Sequence, residues 1–236
     1  PRQVSSDGNS LIVGDHNATA GGGNQAGTFF WTDFPTTNQQ PYDFFMVDPL
    51  GEEDTAPWLR GDFTDDGRLV MMGNTLHIWN DLPLSASTRP ALSNLGQGKV
   101  GGYDFRWGDY STVAVAGSRV YITTNGSTLV VYDSIPTSAT QAPDFVIGAA
   151  DLYVDGNIEN FIMSNPVPAS NGTSLFASSD FDGSLFVWRN LPNESGAAPD
   201  VVYHFCSYQN DEIARRHQCQ EKLSPWDNTL HGDTFA

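Results

Sequence analysis

Short apolar runs alternate with small and polar residues along the whole chain. Leu11-Ile12-Val13, Leu69-Val70-Met71-Met72, Arg119 to Thr123 and Leu185 to Trp188 have the length and the β-branched or aromatic content of strands. Ser111 to Ala116 alternates small and apolar positions, the pattern of a strand with one face packed. Turn signals stand between the runs. Asp7-Gly8, Asp66-Gly67, Asn125-Gly126 and Asp182-Gly183 are hairpin dipeptides, and Gly117-Ser118 is a further turn. The pattern predicts four strands per unit. The first unit has Arg2 to Ser5, Leu11 to Val13, Thr28 to Thr32 and Tyr42 to Val47, with a polar, Gly-rich loop over Asp15 to Gly27. The second has Leu69 to Met72, Thr75 to Trp79 and a weaker strand at Ala91 to Leu95. The third has Ser111 to Ala116, Arg119 to Thr123, Thr128 to Tyr132 and Phe145 to Gly148. The fourth has Pro166 to Ala169, Leu175 to Ala177, Leu185 to Trp188 and Val201 to Tyr203. The one helix candidate, Asn210 to Leu223, lacks a clean apolar face.

One motif marks each unit at the same place. An aromatic residue is followed four positions later by proline: Trp31 and Pro35, Trp79 and Pro83, Tyr132 and Pro136, Trp188 and Pro192. A second proline follows at Pro41, Pro90, Pro143 and Pro199. The first prolines are 48, 53 and 56 residues apart. Four-stranded units at a period near 50 residues read as β-propeller blades. A blade cannot bury both faces alone, so the recurring aromatic is expected between blades, with ligand stacking as its other use. The prolines fix φ in the loop between the third and fourth strands and remove donors from an edge.

The motifs Leu-x-Val-Trp-x-x-Leu-Pro and Ala-Pro-Asp-x-Val-x-Gly, seen best at Leu185 to Val202 and Leu129 to Gly148, resemble secreted bacterial proteins with NHL-type repeats. The resemblance covers Asn9–Val47, Gly67–Leu95, Gly117–Gly148 and Gly172–Tyr203, and it implies a six-bladed propeller around a central channel. Four blades are visible, over roughly 1–50, 58–96, 108–149 and 164–204. Residues 205–231 read as a long loop, and 232–236 as the start of a fifth blade. The expected fold is therefore an all-β propeller segment of a larger ring, which at this period needs roughly 100 more residues. Four-bladed closure, with Thr234-Phe235-Ala236 against Arg2 to Ser5, is the rival.

Composition adds to this picture. The 236 residues carry 28 acidic against 11 basic side chains, a net charge of -17. That field repels phosphate backbones and anionic membrane surfaces, and it attracts cations or a basic partner. No apolar run approaches the roughly 20 residues of a membrane span. The chain opens at Pro1 without a recognisable leader, so a leader has been removed or the chain is partial. Sequons stand at Asn17, Asn125, Asn171 and Asn193. With few lysines and an acidic charge they point to secretion or the cell surface.

Candidate chemistry concentrates in the connections between blades. These connections are Gly51–Asp62, Gly96–Asp109, Gly148–Asn165 and Cys206–Asp233, all long for a compact domain. They hold the ligand-face candidates Trp58, Arg60, Arg106, Trp107, Phe161, Trp226 and His231. A small polar pair, Gly61-Asp62, Gly108-Asp109, Ser164-Asn165 and Gly232-Asp233, precedes each inner strand. Asp62, Asp109, Asn165 and Asp233 would form an oxygen ring suited to Ca²⁺, or each would cap the turn entering its strand. No cofactor is otherwise indicated. Arg60-Gly61-Asp62 spells an adhesion tripeptide but coincides with the repeat's own turn. Cys206 and Cys219 suit a disulfide closing a loop of 14 residues, worth about 3 kcal/mol by chain entropy. With His204 and His217 they could instead offer a zinc site, though the spacing is not that of structural zinc. No nucleophile elbow, zinc-protease helix or phosphate loop is present. His77, two residues before Trp79, is expected in the core.

Three functions fit. The first is a non-enzymatic extracellular binding or assembly module, glycosylated and Ca²⁺-loaded, with a protein or glycan ligand. The second is part of a propeller hydrolase or lyase with a metal in the channel. The third is a subunit of a surface layer or filament whose missing blades come from another chain.

Overall fold

The computed structural model describes residues 3–18, 25–47, 49–50, 60–73, 75–95, 98–100, 103–105, 112–124, 128–152, 163, 166–179 and 184–204. The regular elements among them are all strands. Sixteen of these form four antiparallel four-stranded sheets, each in chain order. Blade one holds β1 (Gln3–Ser6), β2 (Leu11–Ala18), β3 (Gln25–Trp31) and β4 (Phe44–Met46). Blade two holds β5 (Arg60–Phe63), β6 (Leu69–Met72), β7 (Leu76–Trp79) and β8 (Leu92–Leu95). The connection after it carries a hairpin, β9 (Gly98–Val100) paired with β10 (Tyr103–Phe105), which the sequence pattern does not announce. Blade three holds β11 (Val113–Ala116), β12 (Arg119–Thr123), β13 (Leu129–Tyr132) and β14 (Phe145–Ile147). Blade four holds β15 (Val167–Ser170), β16 (Leu175–Ser179), β17 (Ser184–Trp188) and β18 (Val201–His204). The inner strands follow one another, β1 beside β5, β5 beside β11 and β11 beside β15. The architecture is a four-blade β-propeller.

Register explains why the middle strands are apolar without a break. Leu69 and Met71 of β6 face blade one, where they meet Ile12, Phe30 and Met46. Val70 and Met72 face blade three and join Val113, Val115, Val120 and Ile122. A sheet covered on both faces has no polar side, so alternation disappears. The third interface sets Tyr121, Val131 and Phe145 of blade three against Leu175, Phe186 and Trp188 of blade four. Trp79, Tyr132 and Trp188 are buried, each on the face that meets the preceding blade. Inter-blade packing, expected of the repeated aromatic, holds for these three. Truncation of a buried aromatic costs about 3–5 kcal/mol.

The repeated motif builds one loop four times. The chain leaves the third strand on the aromatic and re-enters the sheet 13 positions later in every blade, from Trp31 to Phe44, Trp79 to Leu92, Tyr132 to Phe145 and Trp188 to Val201. The polar edge of the aromatic donates to the loop nine residues on. Trp31 Nε1 reaches the Gln40 carbonyl at 3.2 Å, Trp79 Nε1 that of Thr88 at 2.9 Å, and Trp188 Nε1 that of Ala197 at 3.0 Å. Tyr132 replaces the indole with its hydroxyl, 3.3 Å from the Gln141 carbonyl. In three blades an aspartate closes the loop by accepting the N–H that follows the aromatic. Asp43 takes that of Thr32 at 2.7 Å, Asp144 that of Asp133 at 2.8 Å, and Asp200 that of Arg189 at 2.8 Å. Blade two has Ala91 at this position.

Some elements depart from the sequence pattern. The loop expected over Asp15 to Gly27 is shorter, because β2 runs on to Ala18 and pairs with Gln25 across an irregularity in the ladder. Gly61-Asp62 lies inside β5 rather than before it, since pairing of Arg60 with Met72 starts the strand earlier. Three expected inner turns are present, with Gly8, Gly67 and Gly117 in the left-handed region at φ 89°, 86° and 64°. The fourth is Asn171-Gly172, with Gly172 at φ 87°. Asn125-Gly126, Asp182-Gly183, the helix candidate 210–223 and the fifth-blade start at 232–236 lie outside the described residues.

Candidate functional site

Antiparallel order fixes which loops share an end of the propeller. In a four-stranded up-and-down blade the first strand starts, and the fourth strand ends, on the same side. The connections after β4, β8 and β14 therefore emerge at one end, and the clipped loops at the other. Gln3, Arg60, Thr112 and Pro166 mark the connector end of the four inner strands.

Hydrogen bonds tie the inner strands together at that end. Gln3 Nε2 donates to the Gly61 carbonyl at 3.1 Å and to the Val113 carbonyl at 3.2 Å. Gln3 Oε1 accepts from Thr112 Oγ1 at 2.8 Å. One side chain thus spans blades one, two and three. Thr123 of blade three donates its hydroxyl to the Pro166 carbonyl at the entry to blade four. Gly61 is required here because a Cβ would lie 2.7 Å from Met71 Cγ and 3.0 Å from Ile12 Cδ1.

Asp62 is the one member of the expected oxygen ring among the described residues. Its Oδ2 accepts the Val115 N–H of blade three at 2.8 Å, and its Oδ1 accepts the Phe63 N–H at 2.9 Å. Burial pushes its carboxyl above the ordinary range, and the bonds from Val115 and Phe63 pull it back. It works as a strap between blades. The register puts Ser5, Ala114 and Ala169 at the positions equivalent to Asp62, none of them a carboxylate. Asp109, Asn165 and Asp233 lie outside the described residues. Among the described residues no three His, Cys, Asp or Glu side chains converge.

Arg60, expected on an open ligand face, stands at the connector end of β5 but is buried, 6% exposed. It begins a strand, and with Gly61 also buried the adhesion tripeptide is not displayed on a loop. Trp58, Arg106, Trp107, Phe161, Trp226 and His231 lie outside the described residues, as do Cys206 and Cys219. His77 is buried, with its ring nitrogens 3.0 Å from Thr75 Oγ1 and 2.8 Å from Ser93 Oγ. Of the sequons, Asn171 and Asn193 are exposed, Asn17 lies in β2, and Asn125 is outside the described residues. Asn171 Oδ1 accepts N–H bonds from Thr173 at 3.1 Å and Ser174 at 2.8 Å, which orders the turn around its amide.

A second group of polar residues escapes sequence reading. Arg119 of β12 donates to the Pro192 carbonyl of blade four at 2.6 Å and pairs with Asp133 at 2.6 Å. Its guanidinium lies 5.6 Å from the centre of the Phe145 ring. The adjacent Tyr121 hydroxyl is buried beside the guanidinium. Burial raises its pKa, and Arg119 opposes that shift. Blade four also covers the outer edge of blade three. Val146 donates its N–H to Ser195 Oγ at 3.2 Å and accepts from the Gly196 N–H at 3.0 Å. Edge protection comes from a neighbouring loop as well as from proline.

No family model and no curated protein matches the chain. Similar solved structures include an exo-β-1,3-galactanase from Phanerochaete chrysosporium, at TM-score 0.41 and 12% identity, over 80% of this chain and 47% of that one. The WD40 domain of Toxoplasma gondii coronin matches at TM-score 0.33 and 13% identity, over 85% of this chain and 71% of that one. The chain spans about half the length of the galactanase.

Proposed function

We propose that the chain is an extracellular, non-enzymatic binding or assembly module that takes a protein or glycan ligand on its connector face. The observation that carries this reading is the ladder of bonds from Gln3, Thr112 and Thr123 beneath the connectors. Binding residues on loops work when a rigid frame holds the loop ends, and these bonds fix the ends of three connections. The connector candidates Trp58, Trp107, Phe161 and Trp226 are the residue types that anchor such interfaces. Exposure of Asn171 and Asn193 suits glycosylation in a secreted chain. The likeness to NHL-type secreted proteins belongs to this reading, and Ca²⁺ enters it as an accessory ligand. The negative net charge favours a basic ligand and disfavours nucleic acid and anionic membranes.

The test passes the purified 236-residue chain over oligosaccharide and peptide arrays, with Ca²⁺ and with chelator. The expected result is retention of an unaltered ligand, weakened about tenfold or more by Trp107→Ala, the loss typical of an aromatic anchor. Conversion of a retained glycan to shorter products would overturn the reading in favour of a hydrolase or lyase.

A further inference from the structure

We propose that two copies of this chain associate head to tail, the outer face of blade four of one docking on the outer face of blade one of the other. The argument starts from the register. Val4, Val13, Phe29 and Phe45 lie opposite one another across blade one, and Trp31 shares their face. This is the face that, in blades two to four, carries the repeated aromatic into the preceding blade. Among the described residues no other sheet packs on it. Val4 is 59% exposed, and Phe29, Trp31 and Phe45 are half-buried in a cluster with Tyr42. On blade four, Val167, Ala169, Phe176, Leu185 and Val187 share the face turned away from blade three. Val167 is 45% exposed, and Phe176, Leu185 and Val187 are half-buried.

The two faces are the separated halves of an interface the chain already makes three times. Each internal seam joins the face that carries the repeated aromatic to the opposite face of the blade before it. Blade one presents the repeated-aromatic face and blade four the opposite one, so a second copy supplies what each lacks. Residues 205–236 are a weaker occupant, because they lack the aromatic-to-proline spacing that marks each blade. Contact between unlike faces is heterologous, so it closes into a ring or continues as a filament according to its rotation.

Charge gives the association a signature. Two chains at -17 repel one another, and salt screens that repulsion while leaving apolar burial intact. Self-association should therefore strengthen as salt rises, whereas binding of a basic ligand weakens.

Sedimentation velocity of the full chain at increasing concentration, in low and high salt, tests the idea with Val4→Glu and Val167→Glu. Both positions are exposed, and melting curves check that each variant remains folded. The expected result is a wild-type mass that rises to at least twice the monomer's. Each variant alone should stay monomeric, because every pairing then meets a charged face. An equimolar mixture should restore dimers through the one intact pair of faces, and stop there. A wild-type monomer at every concentration overturns the proposal. So does either variant associating alone as the wild type does, or a mixture that stays monomeric.

Discussion

Asp62 and Asp66 stand four residues apart and respond to acid in opposite directions. Asp66 is held down to about 2 by hydrogen bonds from Arg68 and Thr64. Its contribution is complete above the unfolded value near 3.8 and fades as pH falls toward 2. Asp62 is raised by burial, so its protonated form is the one that folding favours. Its contribution is greatest below the unfolded value and declines as pH rises through the folded one. Removing its carboxylate also leaves the Val115 N–H without its acceptor at a blade seam, a loss of about 1–3 kcal/mol. Asp62→Ala should therefore destabilise the chain at every pH, with the largest deficit in acid and a smaller one at neutrality. Denaturant unfolding of both proteins between pH 3 and 7 measures the trend. A deficit that grew with pH would mean that the bonds from Val115 and Phe63 outweigh burial at this carboxyl.

The clipped loop is the element that most directly turns sequence into structure. Its aromatic and proline are visible in the repeat, and so is the near-constant length. The closing aspartate at Asp43, Asp144 and Asp200 could have been found from the same alignment of repeats, because it follows the aromatic by twelve residues in three of four. Blade two is the natural test. Ala91 is exposed at the equivalent place, and Ala91→Asp would give the Asn80 N–H the acceptor that the other blades have. A gain of about 0.5–1.5 kcal/mol is expected, the net worth of one hydrogen bond, read as a rise in the denaturant midpoint at unchanged slope. Strand positions were legible for a related reason. A propeller pairs strands that are neighbours in sequence, so short apolar runs and hairpin glycines carry most of the topology. Long-range polar partners were not legible. Asp62 binds a backbone N–H 53 residues away, and Arg119 a carbonyl 73 residues away. Backbone groups carry no residue-specific mark, so no pattern in the side chains announces them.

Across the whole molecule, stability should grade from the middle blades outward. Among the described residues, blades two and three are covered on both faces, and blades one and four on one. In a linear array of repeats each unit depends on its neighbours, so end units open first. Amide exchange on dilute protein is expected to protect Leu69 to Met72 and Val120 to Ile122 most, with Val167 to Ser170 among the first inner-strand amides to exchange. Uniform exchange across the four sheets would mean that the seams are not the source of stability. The outer seams are also where the partner chain would act, and protection in blades one and four should rise with protein concentration.

The reach of Gln3 has a consequence for how the protein comes into being. Its amide belongs to the first strand, yet its acceptors at Gly61 and Val113 are 58 and 110 residues further along. On the ribosome the strand of Gln3 meets its first acceptor with the second sheet and its last only when the third has emerged. A nascent chain halted short of Val113 would hold that strand loosely, and a protease could remove it long before the finished fold would permit the same cut.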